Sequence, residues 1–261
     1  MKRLAAALML AAALPLAQAG RPCEEKPLTH QQLEQGMALA QRTARQLDAS
    51  GAQVVVLARA GQDLSKYGLQ WSHLGLAYRT EQAGQPVWRV LHKLNHCGTA
   101  DAAIYRQGLG DFFLDRPHRY EAAYAVLSPA LQQALLPVLL QPQRLLGVHQ
   151  PRYSMVAYPW ATRYQQSNQW VLESLALAAD PALRDRTQAQ AWLRARGYQP
   201  SDLRLSTFTR LGARVGMANV AFDDHPSSRR FAGHIETVTV DSMFAWLPQA
   251  GLGERAVLIQ P

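Results

Sequence analysis

Residues 163–179 read RYQQSNQWVLESLALAA. An uncharged polar run, Gln165-Gln166-Ser167-Asn168-Gln169, passes directly into an apolar periodic stretch, the pattern of a helix mouth. Ser167 has two readings, and the residues alone leave both open. As a helix N-cap, its oxygen would accept from an amide that the first turn leaves unbonded. As a nucleophile, it would draw on the positive end of the helix, although a hydroxyl gains far less there than a thiol and needs a base within hydrogen-bond reach. The same choice attaches to Gln165, Gln166 and Asn168, which either fill a polar loop or offer amides to a carbonyl or oxyanion.

The chain around this stretch has 261 residues, 48% hydrophobic and 18% charged. That composition excludes a disordered polymer and allows a substantial core. The first residues, MKRLAAALMLAAALPLAQAG, combine a charged start, an apolar run and a small-x-small site at Ala17-Gln18-Ala19. This is the pattern of a secretory signal peptide over residues 1–19, leaving residues 20–261 as one α+β domain with a C-terminal elaboration. The mature protein is expected in the periplasm or outside the cell, with no later stretch apolar enough to span a membrane. In an oxidising compartment Cys23 and Cys97 read as a disulfide rather than as two thiols. The formal charge is +8, or +6 once Lys2 and Arg3 leave with the leader, and the basic residues are scattered. An acidic envelope surface suits such a charge. No nucleic-acid motif is present, and the sequence calls for no cofactor.

Thr29 to Asp48 reads as an amphipathic helix with a Thr29–Gln32 capping box, an apolar stripe at Leu33, Met37, Ala40, Ala44 and Leu47, and Gly51 as its stop. Three strand-like runs follow, Gln53–Ala60, Gln70–Arg79 and Val87–Leu94, the last two joined by a hairpin-like turn at Glu81–Pro86. Phe112-Phe113 looks exposed in a mixed region. Ser128-Pro129 opens a further helix to about Leu140, with Pro137 as a kink. A short strand is expected at Tyr153–Ala157 and a helix at Thr187–Arg196. Alternation at Leu203–Phe208, Val215–Phe222 and His234–Val240 suggests strands in the tail.

In Trp71-Ser72-His73-Leu74-Gly75-Leu76-Ala77, alternation puts His73, Gly75 and Ala77 on one face. Two tiny neighbours leave room for a helix N-terminus to pack over His73. Trp88, Val90, His92 and Leu94 share a face of the following strand, so a hairpin would make His73 and His92 neighbours.

These stretches, WSHLGLAYR, VWRVLH and SNQWVLE, resemble motifs of the circularly permuted papain-like hydrolases, the NlpC-type and lecithin retinol acyltransferase-like proteins. The whole mature chain is also similar to a bacterial family of unknown function that shares GLGDFFLD-like, YQQSNQWVLE-like and FDDHP-like stretches. The hydrolase resemblance implies an antiparallel sheet packed against helices in a permuted papain-like fold. It puts His73 in the place of the base, His92 in that of the orienting residue and Ser167 where a cysteine nucleophile is usual. Gln166, Asn168 and Trp170 become candidate substrate-binding residues. The resemblance implies an amide or ester hydrolase or acyl transferase. The serine leaves a second function open, a non-catalytic envelope protein that holds a peptide, cell-wall or lipid ligand in the same cleft. Asp223-Asp224-His225-Pro226 has metal-ligand residue types, but reads as a rigid turn with side chains bonded to local backbone.

Overall fold

The computed structural model describes residues 27–259; the expected signal peptide and Cys23 lie outside the described residues. In chain order come α1 (His30–Ala49), β1 (Val54–Arg59), β2 (His73–Gln82), β3 (Gln85–Asn95), β4 (Ala102–Gly108), α2 (Leu109–Phe113), β5 (Ala122–Val126), α3 (Pro129–Leu140) and α4 (Gln143–Leu146). Then follow α5 (Ser167–Ala179), α6 (Arg186–Ala195), β6 (Ser201–Arg204), α7 (Thr207–Gly216), α8 (Ser227–Phe231), β7 (His234–Thr237), α9 (Val240–Gln249) and β8 (Val257–Ile259). The chain is mixed α+β. An open antiparallel sheet, ordered β4-β3-β2-β1-β5-β8, is packed with helices, and β6 and β7 form a separate ribbon. Among the described residues no helix is long and apolar enough to cross a membrane.

Period-two alternation divides the central strands between two cores. Val55, Leu57, Ala77, Trp88 and Val90 pack with Leu39 and Leu47 of α1 and with Phe112 and Phe113 of α2. Val54, Val56, Leu74, Leu76 and Leu91 pack with Leu135 of α3, Trp170 and Leu175 of α5, and Met243 and Leu247 of α9. The capping box at Thr29 and Gln32 opens α1 as expected. Its buried stripe agrees with the expected one at Ala40, Ala44 and Leu47 and departs from it at the start, where Leu33 and Met37 are exposed and Gly36 and Leu39, with Thr43 further on, face inward. Gly36 sets this rotation, because a Cβ there would lie 2.8 Å from Leu114 Cδ2 and 3.2 Å from the Phe113 carbonyl oxygen.

The β2–β3 hairpin turns through Ala83 and Gly84, both at positive φ (50° and 73°). That is the two-residue turn whose twist matches paired strands. Other stretches depart from the sequence expectation. Phe112-Phe113 is fully buried, since α2 presses both rings into the sheet. Tyr153–Ala157 is not a strand; beside it only an isolated bridge, Asp101 with Arg152, appears among the described residues. Strand is found at Leu203 and Arg204, within β6, and at β7, as alternation suggested, whereas Thr207 and Phe208 open α7, capped by Ser206 accepting from Thr209 N–H, Val215 and Gly216 close it, and residues 217–222 are loop.

Beyond the Leu76–Leu91 pair, β2 stays with β1 and β3 stays with β4, so the two strands part. At this parting Leu74 N–H donates to Asn168 Oδ1 at 3.2 Å, which brings the mouth of α5 to the sheet. Gly75 lies under His92 and Val90: an added Cβ would meet Val90 Cγ1 at 2.6 Å and His92 Cβ at 2.9 Å. Gly75→Ala is therefore expected to lower unfolding free energy by roughly 1–3 kcal/mol through overpacking. Gly212→Ala, in α7 with nothing within 4 Å of the new methyl, is expected to be neutral or stabilising by up to about 1 kcal/mol. Paired denaturant titrations check both values.

Candidate functional site

The expected meeting of the two histidines occurs. His73 Nε2 and His92 Nδ1 are 2.8 Å apart, and His92 Nε2 lies 2.8 Å from Gln107 Oε1 on β4. The Gln107 carbonyl oxygen can only accept, so it places the His92 proton on Nε2. His92 Nδ1 then accepts from His73 Nε2–H, and Nδ1 is the His73 atom suited to take a proton. Phe112 covers both rings, with centroids 5.9 Å from His73 and 5.3 Å from His92. Arg59, at the end of the apolar strand β1, lays its guanidinium 4.7 Å from the Phe112 centroid. It also bonds the Phe112 carbonyl and the Asp115 carboxylate. Burial, and then the Arg59 charge, push the His92 imidazole down to about 3, so it is neutral in any ordinary medium. A cavity of about 280 Å³, lined by Arg59, Leu94, Gln107, Asp111, Leu114 and Asp115, adjoins this relay. A more open depression of about 480 Å³ at Gly68–Gln70, Arg119 and Glu121 has no histidine or serine in its lining.

The side chains of the α5 mouth are engaged inside the protein. Gln166, not Ser167, is the N-cap: its side-chain oxygen accepts from Asn168 N, and its amide donates to Thr237 Oγ1 and the Val238 carbonyl. Ser167 is the first helical residue and is buried, with the buried Tyr153 nearby. Trp170 is wholly inside the core, its indole N–H on the Leu145 carbonyl. Gln165 accepts from Lys93 Nζ at 2.8 Å and donates to Glu173 at 2.5 Å. Glu173 in turn holds Arg186 in a two-pronged buried pair (2.8 and 3.1 Å) and accepts from Gln190. Burial, and then the charge on Arg186, bring the Lys93 amine down to about 6. A neutral amine has two N–H donors, and two acceptors meet it, Gln165 Oε1 and the Gln150 carbonyl.

The structure brings His73 and His92 together and sets α5 beside them at Leu74, but it differs from the sequence expectation in what covers the imidazoles. Phe112 of α2 lies over His73 and His92, while α5 packs with Leu74, Leu76 and Leu91 in the other core. The residue at His73 is one step out of phase with the side of β2 that meets α5. Sequence reasoning missed Arg59, Gln107, Phe112 and Asp115. One signal was available: a lone arginine closing VVVLAR, a strand otherwise apolar throughout. Cys97 is disulfide-bonded; Cys23, its expected partner, lies outside the described residues. Asp223 turns away from its neighbours to pair with Arg163, while Asp224 accepts from Tyr158 N–H and from His225 Nδ1. Nε2–H of His225 donates to the Glu236 carbonyl. Among the described residues no cluster of three or more His, Cys, Asp or Glu is placed to hold a metal ion.

Two predictions follow from these buried groups. Arg186→Met leaves the Glu173 carboxylate buried without its cation and is expected to cost about 3–5 kcal/mol in chemical unfolding. His92 and Lys93 are both depressed on folding, so the unfolded chain binds more protons in each window, and stability rises with pH there. The windows are about 3 to 6.5 for His92 and about 6 to 10.5 for Lys93. Lys93→Met should flatten the rise in urea midpoint between neutral and alkaline pH, and the His92 ring nitrogens should keep neutral-imidazole NMR shifts down to pH about 4.

A search of curated proteins and of solved structures returned no match to this chain. A family model described as "Uncharacterized protein conserved in bacteria (DUF2145)" matches residues 46–247. That span runs from the end of α1 through α9 and includes the histidine relay, Arg59, the α2 segment and the α5 mouth. The chain belongs to the DUF2145 family of bacterial proteins.

Proposed function

We propose that this chain is an exported envelope protein with a permuted papain-like core that uses the histidine half of a hydrolase site to bind a small polar peptide. One observation carries this reading: the His73–His92–Gln107 relay adjoins a cavity, whereas Ser167 is buried at the start of α5 and does not line that cavity. Gln107, Arg59, Asp111 and Asp115 offer donors and acceptors of both charges around about 280 Å³, near the lower end of the range of ligand pockets. An amide unit with a charged end fits that chemistry, and the wall of Leu94 and Leu114 supplies apolar contact. The leader-like first 19 residues support export.

A second reading, hydrolase or acyl transferase, is favoured by one feature. The relay gives neutral His73 its proton on Nε2 and its lone pair on Nδ1, the tautomer of a histidine oriented by a second residue. The two readings separate by experiment. In the binding reading a fluorophosphonate probe does not label Ser167, and native mass spectrometry of protein taken from the periplasm shows a retained ligand that Gln107→Ala releases. Labelling of Ser167 that disappears with His73→Ala would establish the enzyme instead. Ser167→Cys adds a further measure, because a thiol pKa that does not move when His73 is also replaced by Ala means no base serves that position.

A further inference from the structure

The helix α7 is turned inside out. Phe208, Leu211 and Val215 recur at i, i+3 and i+7 and are 87%, 60% and 81% exposed. Arg210, on the inward side, is buried and donates to the Leu205 carbonyl at 2.6 Å and to Thr207 Oγ1 at 3.2 Å. The charged side chain holds the helix down while the apolar stripe faces out, the reverse of a helix that packs on its own core. The turn after α8 is tied to the start of α7, with Leu205 N–H donating to the Gly233 carbonyl at 2.9 Å. Beside that tie is Phe231, 71% exposed, with the Arg230 guanidinium 4.9 Å from its ring centroid.

The charge around this ridge has one sign. From Leu203 to Phe222 the sequence contains Arg204, Arg210 and Arg214 and no Asp or Glu. Among the described residues neither Arg204 nor Arg214 is paired with a carboxylate, and Arg204 spends one of its guanidinium nitrogens on His234 Nε2. The acids that bracket the segment are engaged: Asp202 with His234 and Arg229, Asp223 with Arg163, and Asp224 with His225. Exposed aromatic and aliphatic tips rimmed by arginines match the boundary of an anionic bilayer, where the tips enter the acyl edge and the guanidinium groups meet headgroup phosphates. We infer that α7 and the end of α8 dock this protein peripherally on an anionic lipid surface through Phe208, Leu211, Val215 and Phe231, with Arg204 and Arg214 as the headgroup contacts. The inference stands independently of the cavity at the histidines.

The test is co-sedimentation of the purified mature chain with phosphatidylcholine vesicles, with and without phosphatidylglycerol. Binding is expected to be roughly tenfold or more tighter with the anionic lipid and to weaken as salt is added. The double variant Phe208→Ser, Phe231→Ser should abolish sedimentation while keeping the wild-type circular dichroism and melting profile, because both side chains lie outside the core. The pair Arg204→Gln, Arg214→Gln should remove the preference for phosphatidylglycerol. Equal or absent sedimentation with the two vesicle types overturns the proposal. So does a wild-type dimer, seen by light scattering, that the phenylalanine variant splits while vesicles capture neither form; the ridge would then be an interface between two copies.

Discussion

The mouth of α5 is buried away from water, and a buried polar group without a partner is costly. Every residue from Ser167 to Ala178 is buried, yet the first turn carries serine, asparagine and glutamine. The fold meets most of this constraint by drawing partners from distant parts of the chain, Leu74 of β2, Lys93 of β3, Thr237 of β7 and Arg186 of α6, while Gln169 Oε1 stays buried without a hydrogen-bond partner among the described residues. The sheet, the ribbon and the later helices therefore take their positions partly from one turn of helix. The parting of β2 and β3 belongs to the same solution. Leu74 N–H, freed from the ladder, is what Asn168 binds.

The parting also makes room for the relay. A continued ladder would seat Gly75 opposite His92; with no side chain on Gly75, the His92 ring can settle over the strand and reach His73. Phe112 and Arg59 then exclude water from the rings and fix the charge state. The polar lattice around Glu173 and the relay around His92 occupy opposite sides of the same two strands. That arrangement favours reading the first as scaffold and the second as site.

Much of this was legible where short-range rules operate. The Thr29 capping box, the β2–β3 hairpin and the shared face of His73 and His92 follow from spacing within a few residues. The strands β4 and β5 and the five-residue α2 were not legible, because each is too short or too mixed for periodicity to show. Phe112-Phe113 looked exposed because its burial depends on β1 and α1, which arrive from far along the chain. The polar run at residues 165–169 was correctly placed at a helix mouth. Its cap fell on Gln166 because the longer amide reaches the amide of Asn168, two residues on. In α7 the usual rule of apolar inside and charged outside is inverted, so its two ends were read into strands and its middle was assigned to no element.

A neutral His92 has a consequence for the environment in which the cavity works. An imidazole near its ordinary value would gain and lose charge as the surroundings move between mildly acidic and neutral. Here the ring is held neutral to about 3, and the charge beside it is the guanidinium of Arg59, which keeps its proton throughout. The charge state of His92 is thus decoupled from external acidity. A compartment whose proton activity drifts with its surroundings would leave that ring uncharged, and its contribution to what the cavity holds would be made by shape and hydrogen bonding.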